Sequence, residues 1–416
     1  MSTTVAPERT TTQTPTLGQG VRGYLERVRG GEMGALPAVL GLIVLCTVFT
    51  ILRPAFLTPI NIANLFTQGA QITVIAMGLV FVLLLGEIDL SAGFASGVCA
   101  AVLAVTLTVH GLPWYVAVAA ALATGMVIGL LLGTLVAKVG IPSFVVTLAA
   151  FLAFQGVVLL LVRGGTNISI RDEVILAIAN RNLPPAVGWT LFAVGVAGFA
   201  AVQLLRARRR VAHGLPADPM SLIAFRVGVL AVIAGVAVYV LNLERSRNAL
   251  IVSLKGVPVV VPLIVLLLIL WTFVLRRTAF GRHIYAVGGN AEAARRAGIN
   301  VDRIKIACFV ICSTMAAVGG IVAASRGASV DPNTGGSNVL LYAVGAAVIG
   351  GTSLFGGKGR VIDAVLGGAV IAVIDNGMGL MGYSAGVKFV VTGAVLLLAA
   401  GVDAISRKRA AASGLR

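Results

Sequence analysis

The chain has 416 residues, of which 58% are hydrophobic and only 11% are charged, and its mean hydropathy is +1.01. Because soluble domains carry about 25% charged residues, this composition excludes an ordinary soluble protein and predicts an all-α, polytopic transmembrane helical bundle. The net charge of +17 could indicate nucleic-acid binding. However, the cations lie in short loops between apolar runs, without interleaved aromatic residues, so they indicate membrane orientation and no nucleic-acid partner.

The first 34 residues precede the apolar part of the chain. Residues 1–20 are rich in Thr, Pro and Gln, which predicts a disordered tail. They contain no apolar core, which argues against a cleaved signal peptide. The stretch VRGYLERVRGGEM that follows predicts a short basic helix at the cytoplasmic surface of the membrane.

Twelve apolar runs follow, and each predicts a helix that spans the lipid bilayer. They cover residues 35–52, 69–86, 91–109, 114–137, 142–162, 188–205, 221–242, 257–275, 306–324, 338–351, 361–381 and 386–403. If the amino terminus is cytoplasmic, most of the 32 lysines and arginines also fall on the cytoplasmic side, as the positive-inside rule requires. The pattern predicts two cytoplasmic termini, a transmembrane domain over residues 35–406 and a cytoplasmic tail over residues 407–416.

Glu87 and Asp89 lie in the stretch GEIDLSAGFASG, between the second and third apolar runs. A carboxylate at this depth is costly and is usually functional. Asp89 is flanked by glycines at a break between spans, where a side chain can line a polar path. Asp89 or Ser91 could equally cap the helix that begins near Ala92, and Glu87 is better explained as an interfacial charge.

Motifs for catalysis are not evident in the sequence. The stretch GGTSLFGGKG differs in spacing from the phosphate-binding pattern G-x-x-x-x-G-K-[ST], and Gly359 stands where Ser or Thr would bind Mg²⁺. The three histidines lie far apart, and the four cysteines lie inside apolar runs without histidine or carboxylate neighbours. We therefore predict no catalytic residue, no metal site and no cofactor in this chain, so that any ATP and Mg²⁺ would be bound by partner chains.

The longest cytoplasmic loop, residues 276–305, contains the segment NAEAARRAGI. Small, charged and glycine residues alternate in it as though the segment fits the groove of a partner, and Asn290 can cap a short helix there. Composition alone leaves docking to a partner and a simple basic loop equally open. The candidate docking residues are Gly288, Gly289, Asn290, Glu292, Ala293, Ala294, Arg295 and Gly298.

Five blocks of the chain resemble one protein family, and they occur in the family's order along the sequence. GRHIYAVGGNAEAARRAGI resembles the cytoplasmic coupling loop of the permease subunits of ABC importers for monosaccharides, the ribose/xylose-type family. GEIDLSAG resembles the family block G-G/S-I-D-L-S-V-G, and PAFLTPINIANLFTQGA resembles its first external segment. AAVIGGTSLFGGKGRVIDAVLGG and IDNGMGLMG resemble later blocks. Asp89, Ser91 and Asn376 are then the candidate residues of the translocation path or gate.

The sequence departs from this family in three places. Glu87 stands where a small residue is usual, and Tyr342 stands where many members have Asp. Residues 188–250 add an apolar hairpin to a core of about ten helices, a feature that resembles the xylose-type branch.

The resemblance implies a homodimeric permease with the fold of the vitamin B12-importer type, in the cytoplasmic (inner) membrane of a bacterium. It further implies two ATP-binding subunits and an extracytoplasmic sugar-binding protein as partners. The cargo it implies is a monosaccharide, a pentose of which xylose is the best match. Two other functions stay open at this point. One is a permease of the branched-chain amino-acid type, and the other is a proton-coupled secondary transporter that uses Glu87 and Asp89.

Overall fold

The computed structural model describes residues 34–162, 166–215, 217–246 and 253–412. The amino-terminal tail and the surface helix expected before residue 34 lie outside the described residues, as do residues 413–416. The described chain is almost entirely helical. Its helices are α1 (Leu36–Leu52), α2 (Pro59–Leu84), α3 (Ala92–Ala104), α4 (Trp114–Thr134), α5 (Ser143–Leu161), α6 (Glu173–Asn180), α7 (Pro185–Ala212), α8 (Met220–Asn242), α9 (Val260–Arg277), α10 (Ala279–Gly289), α11 (Ala291–Arg296), α12 (Val301–Gly327), α13 (Ser337–Ile349), α14 (Val361–Leu380) and α15 (Ala385–Ala412).

Within the described residues, nine helices are long and apolar enough to cross a membrane. They are α2, α3 with its π-helical continuation Val105–Val109, α4 with its π-helical continuation Leu135–Val139, α5, α7, α8, α9, α12 and α14. Shorter apolar helices occupy Leu36–Leu52, Asn338–Ile349 and Ala385–Leu398. These elements fall on the predicted apolar runs, and the prediction of a polytopic helical membrane protein is confirmed.

Two helix boundaries differ from the sequence-based expectation. Helix α2 begins at Pro59 rather than near residue 69, because Asn61 in its first turn is buried and bonds to Asn376 instead of lying in a loop. Helix α15 runs to Ala412, so that residues 407–412 continue the last apolar helix.

The core is built around α12, which packs against α2, α3 and α4, while α14 packs against α2 and α13. Close approach depends on small residues. A Cβ on Gly129 of α4 would lie 2.5 Å from the carbonyl oxygen of Phe309, and a Cβ on Gly125 would lie 2.7 Å from that of Ser313, both on α12. Small residues four positions apart let two helix backbones approach, which is the usual way to pack helices in a membrane.

Helix α13 has only 13 residues, a length of about 20 Å, whereas the hydrocarbon core of a bilayer is about 30 Å thick. The segment before it packs beside the second turn of α3, since a Cβ on Gly97 would lie 2.1 Å from the carbonyl oxygen of Thr334. A two-residue antiparallel pairing of β1 (Ile168–Ser169) with β2 (Ser329–Val330) precedes this segment. The segment thus enters the helical core before α13 begins.

Helices α7 and α8 form the additional hairpin, and α8 packs against α2 of the core. Among the described residues, α7 buries only Gly188, and α8 buries only Ile223 and Leu241. The hairpin therefore lies at the periphery of this chain. Residues 247–252, which include the end of the predicted segment 188–250, lie outside the described residues.

Candidate functional site

Three glycine-rich motifs that are far apart in sequence meet at one point, which we call the glycine junction: Gly86, Gly288, Gly356 and Gly357. The amide of Gly357 donates a hydrogen bond to the carbonyl oxygen of Leu84 (2.9 Å) at the end of α2. A Cβ on Gly288 would lie 1.8 Å from that same Leu84 oxygen, and a Cβ on Gly356 would lie 2.9 Å from the amide nitrogen of Gly86. Only glycine fits here, because the backbones of α2, α10 and the loop after α13 are in contact.

A half-buried tyrosine reinforces the glycine junction. The Tyr285 hydroxyl of α10 donates a hydrogen bond to the carbonyl oxygen of Gly359 (2.8 Å). Burial raises the pKa of Tyr285, so the hydroxyl keeps the proton that it donates. Helix α10 is therefore held to the loop after α13 by both backbone packing and a side-chain bond.

Helix α11 is a short, capped helix that follows the junction directly. The Asn290 side chain accepts a hydrogen bond from the amide of Ala293 (2.9 Å), which confirms Asn290 as the N-cap. Gly298 has a φ of +84°, and the amide of Ile299 donates to the carbonyl oxygen of Ala294 (3.0 Å). A left-handed glycine with this bond is the usual way to end a helix.

The surface of α11 divides into one buried position and an open face. Ala294 is buried against the neighbouring helices, whereas Glu292, Ala293 and Arg295 are exposed. Glu292 is paired along the helix with Arg295 (3.4 Å) and with Arg296 (3.2 Å). No atom lies within 4 Å of a Cβ built on Gly289. The open face thus combines small residues with paired charges.

The turn between α2 and α3 carries both carboxylates of the sequence motif. Glu87 forms an ion pair with Lys305, in the second turn of α12, and both side chains are mostly buried. Glu87 is therefore neutralised by a partner instead of standing alone at the interface. This pair links the glycine junction to the helix at the centre of the core.

Asp89 is fully buried and bonds to three donors. Its Oδ1 accepts from the Ser91 amide (2.8 Å) and from the Ser91 hydroxyl (2.6 Å), and its Oδ2 accepts from Cys312 Sγ (3.4 Å). Asp89 therefore fixes Ser91, the residue before α3, and also contacts the middle of α12. Ser91 is the N-cap residue of α3 but makes no side-chain capping bond, so Asp89 orders the start of this helix through Ser91 and is not itself the N-cap.

Asn376 of α14 lies in a separate, buried amide cluster. Its amide group exchanges two hydrogen bonds of 2.9 Å with Asn61 and donates a third to Gln68 (3.1 Å). Asn61 also donates to the carbonyl oxygen of Phe56 (2.9 Å). A rise of about 1.5 Å per residue puts roughly 35 Å of helix α2 between Asn61 and Leu84. The cluster and the glycine junction therefore occupy opposite ends of α2.

The structure brings together more residues than the sequence motifs indicated. The candidate residues did not include Lys305, Asn61 and Gln68. A cation or an amide within a long apolar helix is costly, however, and this cost by itself indicates a polar partner or a function. Tyr342, which departs from the family pattern, bonds to Thr392 of α15. Over the parts of the chain that the structure describes, no group of three or more His, Cys, Asp and Glu side chains could hold a metal ion.

Comparisons with known proteins give one consistent family. Residues 61–400 match the family described as branched-chain amino acid transport system / permease component. The chain is 38% identical over 356 residues to the xylose transport system permease protein XylH of Escherichia coli (strain K12), covering 85% of this chain and 87% of that protein. The protein of the same name from Haemophilus influenzae is 35% identical, covering 85% and 92%. The ribose import permease protein RbsC of Escherichia coli is 31% identical over 369 residues, covering 88% and 92%. No solved structure matches significantly.

Proposed function

The chain belongs to the family of branched-chain amino acid transport system permease components, and from this premise we propose that it is the transmembrane permease subunit of an ATP-driven importer. The importer carries a pentose, preferentially xylose, into the cytoplasm. The observation that carries the proposal is the 38% identity to a xylose transport permease over 85% of the chain. The lower identity of 31% to a ribose import permease supports xylose as the preferred sugar.

The open face of α11 is the proposed contact with an ATP-hydrolysing subunit. Because α11 follows the glycine junction directly, a push on α11 would be carried to the end of α2 and to the loop after α13. Close backbone contact at Gly288 and the Tyr285 bond support such transmission, since they leave little room for α10 to move alone. ATP and Mg²⁺ would bind to the two partner subunits.

The assembly that follows from this proposal is a homodimer of twelve-span chains with the fold of the vitamin B12-importer type, in the inner membrane. Nine membrane-length helices and three shorter apolar ones support twelve spans. Both termini would be cytoplasmic, and an extracytoplasmic sugar-binding protein would deliver the cargo on the other side.

The proposed translocation path involves Asp89, Ser91 and Asn376. A sugar is neutral and rich in hydroxyl groups, so amides and a hydrogen-bonded carboxylate are suitable contacts for it. The buried bonds between Asn376, Asn61 and Gln68 join α2 to α14. Opening a path between these helices would free these amides to bind sugar hydroxyl groups, which supports a role as a gate.

Reconstitution in liposomes tests the function directly. The permease is assembled with its co-expressed ATP-hydrolysing and binding subunits, ATP is trapped on the ATPase side, and uptake of labelled xylose is measured. We expect uptake that requires ATP, survives a proton ionophore and is inhibited by unlabelled xylose more than by ribose. A matched preparation that contains ADP is the control.

The two alternative functions give different results in this assay. Inhibition by leucine and not by xylose would indicate an amino-acid permease. Uptake without ATP that a proton ionophore abolishes would indicate a secondary transporter. The ion pair between Glu87 and Lys305 disfavours the latter, because it already occupies one of the two carboxylates.

A further inference from the structure

A cluster of arginines on two different helices meets at the cytoplasmic side of the additional hairpin. The last two turns of α7 and the last turn of α9 contribute Arg206, Arg208, Arg209, Arg210, Arg276 and Arg277. Arg206 lies close enough to Arg276 and Arg277 for their charges to repel. Among the described residues, none of the ion pairs involves any of these six side chains. Arg276 also lies close enough to the Asp363 carboxylate, which pairs with Arg360, for their charges to attract. The cluster therefore carries more positive charge than the described residues around it balance.

Helices α7 and α9 are fastened to each other at their opposite, outer ends. The amide of Leu183 donates to the carbonyl oxygen of Val257 (2.8 Å), and a Cβ on Gly188 would lie 2.9 Å from the side chain of Val257. Towards the cytoplasm, α7 buries no described side chain, and α9 buries only Leu275. The arginines thus end α7, whose inner half buries no described side chain, and α9, which packs one face on the core through Trp271 and leaves Leu270 and Phe273 exposed to lipid.

The same half of the hairpin also carries a shallow apolar groove of about 360 Å³ on the surface of α8, open to the outside. Its lining residues are Phe225, Gly228, Val229, Val232 and Ile233. They lie in the first four turns of α8, which starts at the cytoplasmic side at Met220. Phe225, Val232 and Ile233 are each more than 60% exposed. A groove of this composition suits a hydrocarbon chain.

We propose that the hairpin binds an anionic phospholipid of the inner leaflet, with the phosphate held by Arg206, Arg276 and Arg277 and an acyl chain lying along the α8 groove. Guanidinium groups bind phosphate oxygens in a bidentate way, and basic sites between transmembrane helices on the cytoplasmic side recognise lipid headgroups. A headgroup shared by α7 and α9 joins the hairpin to the core at its inner end. The apolar groove favours a lipid over a soluble phosphate, which would satisfy the arginines alone.

The test uses the full-length permease in detergent, stripped of lipid. Phosphatidylglycerol, phosphatidylcholine or inorganic phosphate is added, and lipid retention by native mass spectrometry is measured beside the melting temperature. We expect phosphatidylglycerol to be retained and to raise the melting temperature, while phosphatidylcholine and phosphate do neither. In the triple variant Arg206→Gln, Arg276→Gln, Arg277→Gln, affinity for phosphatidylglycerol should fall about tenfold or more.

Two control variants separate this site from general positive charge and from misfolding. The double variant Lys138→Gln, Arg282→Gln removes exposed cytoplasmic cations elsewhere and should retain phosphatidylglycerol as the wild type does. Val232→Trp fills the groove and should weaken phosphatidylglycerol retention although every arginine is present. Equal retention of both lipids by the wild type, full retention by the triple variant, or the same stabilisation by inorganic phosphate would overturn the proposal. None of these readouts depends on transport.

Discussion

Asp89 connects the start of α3 to the middle of α12. Its Oδ1 accepts from the amide and the hydroxyl of Ser91, so it orders the start of α3. Its Oδ2 bonds to Cys312 in the middle of α12. Among the described ion pairs, none involves Asp89. A buried carboxylate held by neutral donors alone is costly to keep, which is the reason to expect a function for it.

Replacing Asp89 with Asn separates its two roles. The side-chain oxygen of Asn can accept the same bonds from Ser91, so Asp89→Asn should change the melting temperature in detergent only slightly. We expect xylose uptake to fall strongly, because the charge is lost. Asp172→Asn is the matched control, since Asp172 also accepts from amides two and three residues ahead, at the exposed start of α6. Wild-type uptake by Asp89→Asn would leave Asp89 only its role in ordering the start of α3.

The ion pair between Glu87 and Lys305 predicts a charge-dependent stability. Removing either partner leaves a mostly buried charge without its counter-ion, so Glu87→Gln or Lys305→Gln should each cost ~2 kcal/mol of stability. The exchanged pair Glu87→Lys, Lys305→Glu should recover part of that loss. Melting temperatures of the four proteins, each at the same detergent and salt concentration, give the measurement. An exchanged pair less stable than both single variants would show that the surroundings favour one orientation.

At the scale of secondary-structure elements, the boundary between α10 and α11 is packed on one side and open on the other. Gly288 has no room for a side chain, whereas no atom lies within 4 Å of a Cβ on the adjacent Gly289. The two glycines therefore serve different purposes within one helix terminus. Gly288 lets α10 pack against α2. Gly289 adds no side chain beside the open face of α11, which is the proposed contact with the ATP-hydrolysing subunit.

This contrast predicts different outcomes for neighbouring substitutions. Gly288→Ala should lower both the melting temperature and the sugar-stimulated ATP hydrolysis, since its Cβ would lie 1.8 Å from the Leu84 oxygen. Gly289→Leu should leave the melting temperature unchanged and reduce only the stimulated ATP hydrolysis, because it obstructs the partner. If Gly289→Leu couples normally, this face of α11 is not the contact with the ATP-hydrolysing subunit.

The stability of the loop between α8 and α9 should depend on pH through Glu244. Hydrogen bonds from the Leu254 and Ser246 amides and from the Ser253 hydroxyl lower the pKa of Glu244 to about 2. A carboxyl with a lowered pKa stabilises the folded loop above its unfolded pKa, about 4.3 for Glu, and this stabilisation is lost as the pH falls towards 2. Hydrogen-exchange protection of the Leu254 amide should thus be constant above about pH 5 and fall below about pH 4. In Glu244→Gln the protection of the Leu254 amide should not change with pH over this range.

At the scale of the whole molecule, the membrane topology is the property that orders all the sites. With cytoplasmic termini and twelve spans, the glycine junction and α11 lie inside, and the turn between α14 and α15 lies outside. Ala293 and Ser384 are both exposed. A cysteine introduced at either position reports on which side of the membrane that position lies. In right-side-out vesicles, a membrane-impermeant maleimide should label Ser384→Cys and leave Ala293→Cys unlabelled. The reverse pattern would invert the topology, and the wild type, whose described cysteines are all at least partly buried, is the background control.

The sequence by itself determined the membrane class, the positions of the apolar helices and the cap at Asn290, because these depend on local composition and on residues within one turn. It also indicated the coupling loop, the GEIDLS break and the additional hairpin as separate features. Asp89 was left between two roles, since a motif does not show which distant groups face a side chain.

Only the tertiary structure decided which of these features meet. The contact of Gly86, Gly288 and Gly356 joins three segments separated by about 70 to 200 residues, and the pairing of Glu87 with Lys305 spans 218 positions. Helix α2 also extends ten residues beyond its apolar run, because Asn61 finds an amide partner on α14. Such contacts depend on how the helices pack, and packing is fixed by the small residues and buried polar groups of several helices at once. No single stretch of the chain contains that information.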